Sequence, residues 1–597
     1  MCGLVALIGT REDIYGVQAI QRALDQMQRR GPDAEEIWQE DGTALGHRRL
    51  AIIDLDPRAA QPMHSLCGRY VIVFNGEIYN YQELRQSLQQ QGVDFRTNSD
   101  TEVLLALFAR DGECMQEKLA GMFAFVIWDR MARKGFVARD PYGIKPLYMA
   151  KVQGGGVAVA SQVKALLAIG CVSREPDPVG QAGYWLLGSV PEPHTWFRDI
   201  QHVPAGCAAW IEGGRLVRQW RWHDIGDAWR NAQARAGDVG PAEVRAAVSS
   251  ALRESVRRHL VADVPVGVFL SGGVDSGAMA ALMVEQGARG LVGVTIAFDE
   301  FIGTQADEAP TAALVARHYG IRHVLRKVTR AEFQADLPRI LAAMDQPSID
   351  GINTWYASKA VAELGLKVVV SGLGGDELFQ GYSHFRTLPR LLQARRGLRW
   401  LPGMAAALSA LGNLQARRSG NLRWQHLAEW SSGIEGLWWL RRSVHAPEEL
   451  IDRMGKEMTS IELQHCDVVE LLRSLTGLLP QDPHLAIGQI ESMTYLRNQL
   501  LRDSDWASMD HSVELRTPLV DARLLGTLAP WLPHFVRHPG KALLAHAPQR
   551  ALPNAILTRP KTGFGIPLQA WLGQPGASLR DAWSVRAASA YDLAVAA

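Results

Sequence analysis

Between Val264 and Val284 the chain passes through three unlike stretches. Val264-Pro265-Val266-Gly267-Val268-Phe269-Leu270 is apolar and rich in β-branched residues, and Ser271-Gly272-Gly273-Val274-Asp275-Ser276 follows it. Gly277-Ala278-Met279-Ala280-Ala281-Leu282-Met283-Val284 then reads as the opening of a helix. A buried strand, a tight Ser/Gly turn and a helix start leave the backbone few choices. N–H groups left free at a helix N-terminus attract anions, and glycines let phosphate oxygens come close. Asp275 sits where a carboxylate suits a Mg²⁺ bridging to phosphate. The Gly-Lys-Ser/Thr ending of a Walker loop is missing, and the stretch is not GxGxxG.

That strand opens an alternating series. Leu291–Phe298, His323–Val328 and Leu366–Val370 read as strands, and Glu308–Tyr319, Glu332–Met344 and Thr354–Glu363 as helices. Such alternation predicts a parallel sheet with helices on both faces and ligands at the carboxyl ends of the strands. Ser271 and Ser371 both fall just past a strand end. From about Phe385 to Leu479 the pattern is helical, and we read it as bundled helices added to the sheet. The Ser271 turn resembles the pyrophosphate loop of enzymes that adenylate a carboxylate or carbonyl.

At 597 residues the chain requires more than one domain. A net charge of +1 gives no reason to expect nucleic acid or an anionic membrane as partner. Cys2, Cys67, Cys114, Cys171, Cys207 and Cys466 are scattered, against a zinc site or disulfide scaffold and in keeping with a reducing cytoplasm. No signal peptide or membrane span is evident, so the expected location is cytoplasmic. The part before about residue 215 carries strand-like pieces at Val5–Ile8, Tyr70–Phe74, Phe123–Trp128 and Val157–Ser161. Helical patterns at Ile14–Gln28, Tyr81–Gln91 and Asp100–Arg110 lie between them, which predicts an α+β layered domain. Residues 211–245 look like a boundary, with a hairpin-like turn at Glu212-Gly213-Gly214 and a helix starting at Pro241.

Met1-Cys2-Gly3 carries a second chemistry. Removal of the initiator methionine, usual before a small side chain, would leave Cys2 with a free α-amine. Such an amine titrates at roughly 7.7–8.0 and can serve as general base to its own thiol. Several segments follow it: Arg30-Gly31-Pro32-Asp33, Gly46-His47-Arg48-Arg49-Leu50, Asn75-Gly76-Glu77-Ile78-Tyr79-Asn80, Asn98-Ser99-Asp100, Gly121-Met122-Phe123-Ala124-Phe125 and Arg139–Tyr148. Together with Cys2 and the Ser271 loop they resemble the glutamine-hydrolysing asparagine synthetase family, from Cys2 to about Trp571.

The resemblance implies an α+β N-terminal-nucleophile hydrolase sandwich at residues 1–215, a linker at 216–240, and an α/β parallel-sheet adenylating domain with added helices at 241–597. In the first, Cys2 would attack the glutamine side-chain amide, and Asn75 with the Gly76 N–H would form the oxyanion hole. Arg49 would clamp the substrate carboxylate, Asp100 with Glu77 its ammonium, and Leu50, Ala51, Ile52 and Ile53 would line the pocket. In the second, Leu270 and Ile296 would flank adenine and ribose. Ser271, Gly272, Gly273, Asp275, Ser276, Ser371 and Gly372 would hold ATP, Asp275 and Asp376 would hold Mg²⁺, and Lys541 would stabilise developing charge. The implied partners are glutamine, ATP and aspartate or another carboxylate, with a homodimer as the assembly considered.

The pattern departs at Leu373, where the best-studied branch has a Glu thought to act as base toward ammonia. Gln346 and Gln162 also stand where carboxylates are often seen. Asp345, Asp350 and Asn353 remain as polar groups for a substrate pocket, and Glu514, Arg516 and Asp521 read as a buried scaffold. Three reactions stay open: asparagine formation from aspartate, amidation of a larger carboxylate, and ring closure on the substrate's own amine. The complete set of Cys2, Arg49, Asn75 and Asp100 counts against the third.

Overall fold

A computed structural model describes residues 2–10, 16–232, 240–398, 400–456, 458–459, 468–535, 541–560, 563, 565–572 and 579–596. Cys466, Pro539, Gly540, Lys561, Thr562 and Phe564 lie outside these.

Period-two patterning builds the first part. Its strands are β1 (Gly3–Ile8), β2 (Ala34–Glu40), β3 (Thr43–Arg49), β4 (Met63–His64), β5 (Tyr70–Ile78), β6 (Gly121–Asp129), β7 (Lys134–Arg139), β8 (Tyr148–Lys151), β9 (Val157–Ala160), β10 (Ile200–His202), β11 (Cys207–Glu212) and β12 (Arg215–Arg221). They form two six-stranded antiparallel sheets, ordered β10-β8-β9-β1-β3-β2 and β12-β11-β7-β6-β5-β4. Leu4, Ala6 and Ile8 of β1 face Val71 and Val73 of β5 between the sheets. The alternate residues Val5 and Leu7 face the helices Val17–Gln26 and Val163–Ala168. Ile72 and Phe74 of β5 pack on Val103, Leu104 and Leu107 of the helix Asp100–Asp111. The result is a helix–sheet–sheet–helix sandwich. Ser99 caps that last helix, its Oγ accepting the Glu102 N–H at 3.3 Å. Strand β12 runs to Arg221, into the stretch expected as linker, because it pairs with β11 across the Gly213-Gly214 hairpin.

The second part is a parallel sheet of β13 (Val266–Phe269), β14 (Val292–Phe298), β15 (Arg322–Val328), β16 (Val368–Val370) and β17 (Glu514–Arg516), ordered β15-β14-β13-β16-β17. Strand order reverses between β13 and β16, and a crevice opens at the carboxyl ends of strands where this happens. Strand β17 was not expected from sequence; it is three residues long and follows a long helical insertion. Within that insertion Ser492–Leu501 winds as a π-helix, a rare geometry that tends to sit at functional sites.

Several polar links among the described residues tie the two parts together. Arg30 grips Asp505 through both oxygens, at 2.6 and 3.2 Å. Arg516 of β17 reaches Glu77 of β5 at 3.6 Å. Asp263, just before β13, donates its N–H to the Ile52 carbonyl at 3.0 Å and accepts the Asp54 N–H at 2.8 Å. Lys367, just before β16, pairs with Asp33 at 2.8 Å, and Asp33 accepts the Ala51 N–H at 2.7 Å. Among the described residues no helix is long and apolar enough to cross a membrane.

Candidate functional site

Cys2 lies one residue before β1, buried at the sandwich edge. Its backbone N–H donates to Asn75 Oδ1 at 2.9 Å, and its carbonyl accepts from Arg30 Nε at 3.2 Å. Burial pushes the thiol up; the Leu50 N–H and the Arg49 guanidinium pull it back.

Asn75 and Gly76 do not form a turn. They sit inside β5, fully covered, opposite Ala124 and Phe123 of β6. Gly76 is required there, because a Cβ would collide with the Met122 carbonyl oxygen. Asn75 Nδ2 has no hydrogen-bond partner among the described residues although it is buried. A buried amide left unpaired costs about 1–3 kcal/mol, and a function is the usual reason to keep one. One end of this side chain holds the Cys2 backbone, and the other is a donor in waiting.

Arg49 ends β3, and its guanidinium donates to the Asp56 carbonyl at 3.0 Å and to the Asp54 carbonyl. A guanidinium has five N–H donors, so the fork keeps capacity for a carboxylate. Leu50, Ile52 and Ile53 are buried in the loop that follows, and Ala51 is half-buried. Asp100 accepts the Ile78 N–H at 3.0 Å, and burial raises its carboxyl to about 6. Glu77 is pushed up by burial and by Glu514, against the pull of Arg516.

The second site is a crevice of about 770 Å³ at the β13/β16 switch. Leu270, Ser271, Gly272, Gly273, Asp275, Ser276, Ile296, Ser371, Gly372, Leu373, Asp376 and Lys541 all line it. The Ser271 turn is braced from within: its N–H donates to Ser276 Oγ at 3.0 Å, and its Oγ accepts the Gly273 N–H at 3.2 Å. Gly273 then begins the helix Val274–Glu285 with no side-chain cap, leaving first-turn N–H groups directed at the crevice. Glycines allow the close approach. A Cβ at Gly272 would overlap the Arg559 guanidinium, one at Gly375 the Asp275 carboxylate, and one at Gly381 both Asp376 and Lys541.

Lys541 bridges Asp275 and Asp376, lying 2.7 Å from the latter. Against burial, the two carboxylates hold its ammonium well above the usual lysine range. Among the described residues no group of three or more His, Cys, Asp or Glu side chains gathers as a metal site. Asp275 and Asp376 nevertheless converge on one cation. Two carboxylates completed by phosphate oxygens are a donor set that Mg²⁺ takes, so the pair fits that ion.

Asp350 and Asn353 line the crevice as expected, but Asp345 does not. Its carboxylate is spent on the N–H groups of Val163 and Lys164, at 3.0 and 3.2 Å, where it caps a helix of the sandwich. Gln346 likewise accepts the Trp196 N–H at 3.1 Å, away from the crevice. Glu514 and Arg516 are fully buried and paired at 2.6 Å, a scaffold that also joins the two sites. Sequence reasoning missed Glu377, Tyr382, Tyr495 and Arg559 as lining residues. Glu377 follows Asp376 directly in the chain, whereas Tyr495 belongs to the π-helix, whose register no periodicity announces.

The first part thus holds a buried cysteine against a buried amide, and the second opens a glycine-walled anion crevice at a sheet switch point. The family model described as a glutamine amidotransferase domain matches residues 1–222, and that described as asparagine synthase matches residues 247–591. A Mycobacterium tuberculosis protein provisionally named asparagine synthetase (glutamine-hydrolyzing) is 33% identical, over 96% of this chain and 88% of its own. Asparagine synthetase (glutamine-hydrolyzing) 1 of Bacillus subtilis is 29% identical over the same shares. Amidase chry2 of Gibberella zeae is 32% identical over 65% of this chain and 60% of its own. The chain belongs to the asparagine synthase family and is a glutamine-dependent carbon–nitrogen ligase.

Proposed function

We propose that the protein hydrolyses glutamine at Cys2 and delivers the ammonia to a carboxylate that it has activated with ATP. With Met1 removed, the Cys2 amine takes the thiol proton as sulfur attacks the glutamine amide. The oxyanion is held by Asn75 Nδ2 and the Gly76 N–H, while Arg49 and Asp100 hold the substrate's carboxylate and ammonium. The proton passes to the amide nitrogen, which leaves as ammonia, and water cleaves the thioester to glutamate and the free Cys2 thiol.

In the crevice the acceptor carboxylate attacks the α-phosphorus of ATP and releases pyrophosphate. Leu270 and Ile296 flank the nucleoside. The Ser271 turn and Ser371-Gly372 hold phosphate oxygens, and the Lys541 ammonium offsets the negative charge that develops. Bound Mg²⁺, held by Asp275 and Asp376, would neutralise the pyrophosphate. Ammonia then attacks the acyl-adenylate, giving an amide and AMP. Leu373 cannot take the proton released. Glu377 can: it lines the crevice, burial and Asp376 raise its carboxyl to about 7, and Tyr382 Oη donates to it at 2.6 Å.

The observation that carries this reading is the buried joint between the two parts. Arg516, on the strand beside β16, pairs with Glu77 beside Asn75, so one buried ion pair joins the strand beside the crevice to the strand that carries the Asn75 donor. Ammonia passed between them without meeting bulk water would escape protonation. Aspartate is the acceptor on the asparagine-forming reading. A larger acid is the second reading, favoured by Leu373. The test is to incubate the protein with ATP, Mg²⁺, glutamine and aspartate. Asparagine with pyrophosphate supports the first reading, glutamine hydrolysis without asparagine supports the second, and neither activity refutes both.

A further inference from the structure

We propose that the crevice continues into a second chamber that takes the body of the acceptor, and that this acceptor is an amino-acid-like acid larger than aspartate with an anionic far end. The inference rests on reading the crevice as the site of acyl activation.

The chamber adds about 420 Å³ to the crevice and shares walls with it at Asp350, Gly381, Tyr382, Arg386 and Tyr495. Cavities of roughly 300–1,000 Å³ each suit a drug-sized ligand. The crevice therefore has room for a nucleotide, and the chamber for a further group of comparable size. Aspartate, activated at the crevice, would reach no further than the junction.

The chamber is a built cavity. Arg442 is clamped by Glu491 through both oxygens, at 3.0 and 2.7 Å, and Trp438 Nε1 donates to the same carboxylate at 2.8 Å. Its guanidinium carbon lies 3.8 Å from the Tyr495 ring centre and 4.7 Å from that of Tyr382. The charge of this wall is already matched.

Arg386 and Arg441 differ. Both are exposed, and neither guanidinium has a carboxylate partner among the described residues. Arg386 lines crevice and chamber alike, whereas Arg441 lines the chamber alone and is the far cation. The one acid among the described lining residues of the chamber, Asp350, stands at the junction. A carboxylate near the reacting end and a cation beyond it complement an ammonium followed by an anion. An aspartyl residue extended by an acidic group has that order of charges; free aspartate lacks the extension.

The test is calorimetric binding to the full chain with Mg²⁺ and α,β-methylene ATP. The probes are aspartyl-glutamate, aspartyl-lysine and aspartate. Aspartyl-glutamate is expected to bind at least about tenfold tighter than either competitor. Arg441→Glu, a change at an exposed side chain, is expected to remove that preference and leave nucleotide affinity unchanged. Equal affinity for aspartate, no binding of any probe beside bound nucleotide, or a preference that survives Arg441→Glu overturns the inference alone. Failure of the nucleotide itself to bind overturns the reading of the crevice as well.

Discussion

Asn75 has its Oδ1 on the Cys2 N–H, and its buried Nδ2 has no partner among the described residues. Truncating it removes both, so Asn75→Ala should lower glutaminase kcat by about 10²–10³-fold. Ammonia-driven amide formation should be unchanged, since Asn75 lies in the other half. Asp100 sets a pH dependence in the same site. It must be ionised to hold an ammonium, and its carboxyl lies at about 6. The KM for glutamine should therefore be flat above that pH and rise as pH falls through it, by about tenfold per unit. Initial rates from about pH 5 to about pH 8 decide this; a KM that stays flat throughout removes Asp100 from the role. Of these residues only Cys2, placed second in the chain, carried a chemistry of its own in the sequence. The roles of Asn75 and Asp100 came from the family resemblance, since an Asn-Gly pair and a helix-start Asp suit many other jobs. Asp345 misled for the same reason. An acid near a strand end suits a pocket and a helix cap equally, and only packing distinguishes them.

Between the residues and the domains stands the loop from Arg49 to Asp56. Its position is set from the other half of the chain, by Asp263 and Lys367 at the amino ends of β13 and β16. The carboxyl ends of those strands carry the Ser271 and Ser371 turns. The loop proposed to bind glutamine thus rests on the same two rods that bear the turns proposed to hold the nucleotide. Asp263→Ala strips an acceptor from the Asp54 N–H, an interaction worth about 1–3 kcal/mol once unpaired. Glutamine KM should rise while kcat for ammonia-driven amide formation and the KM for ATP hold; an unchanged glutamine KM would separate the loop from the sheet. Strands β13 and β14 were legible because β-branched runs bounded by glycine have few alternatives. Strand β17 was not. Glu514-Leu515-Arg516 has no apolar run, and it joins the sheet because Arg516 and Glu514 neutralise each other inside it.

At the scale of the whole molecule, the sandwich and the parallel sheet were both readable from the change of hydrophobic period along the chain. The interface between them was not. Arg30–Asp505 and Arg516–Glu77 join residues hundreds of positions apart, and pairing of buried charges across such distances leaves no local pattern. Yet this interface makes one enzyme of two sites, so the central claim concerns transfer across it. The most direct measurement is amide formation by Cys2→Ala, driven by glutamine and, separately, by ammonium, with pyrophosphate release followed in both. Glutamine-driven synthesis should vanish while ammonium-driven synthesis and pyrophosphate release persist at the wild-type rate. Loss of both in a folded variant, or survival of the glutamine-driven reaction, would contradict the account.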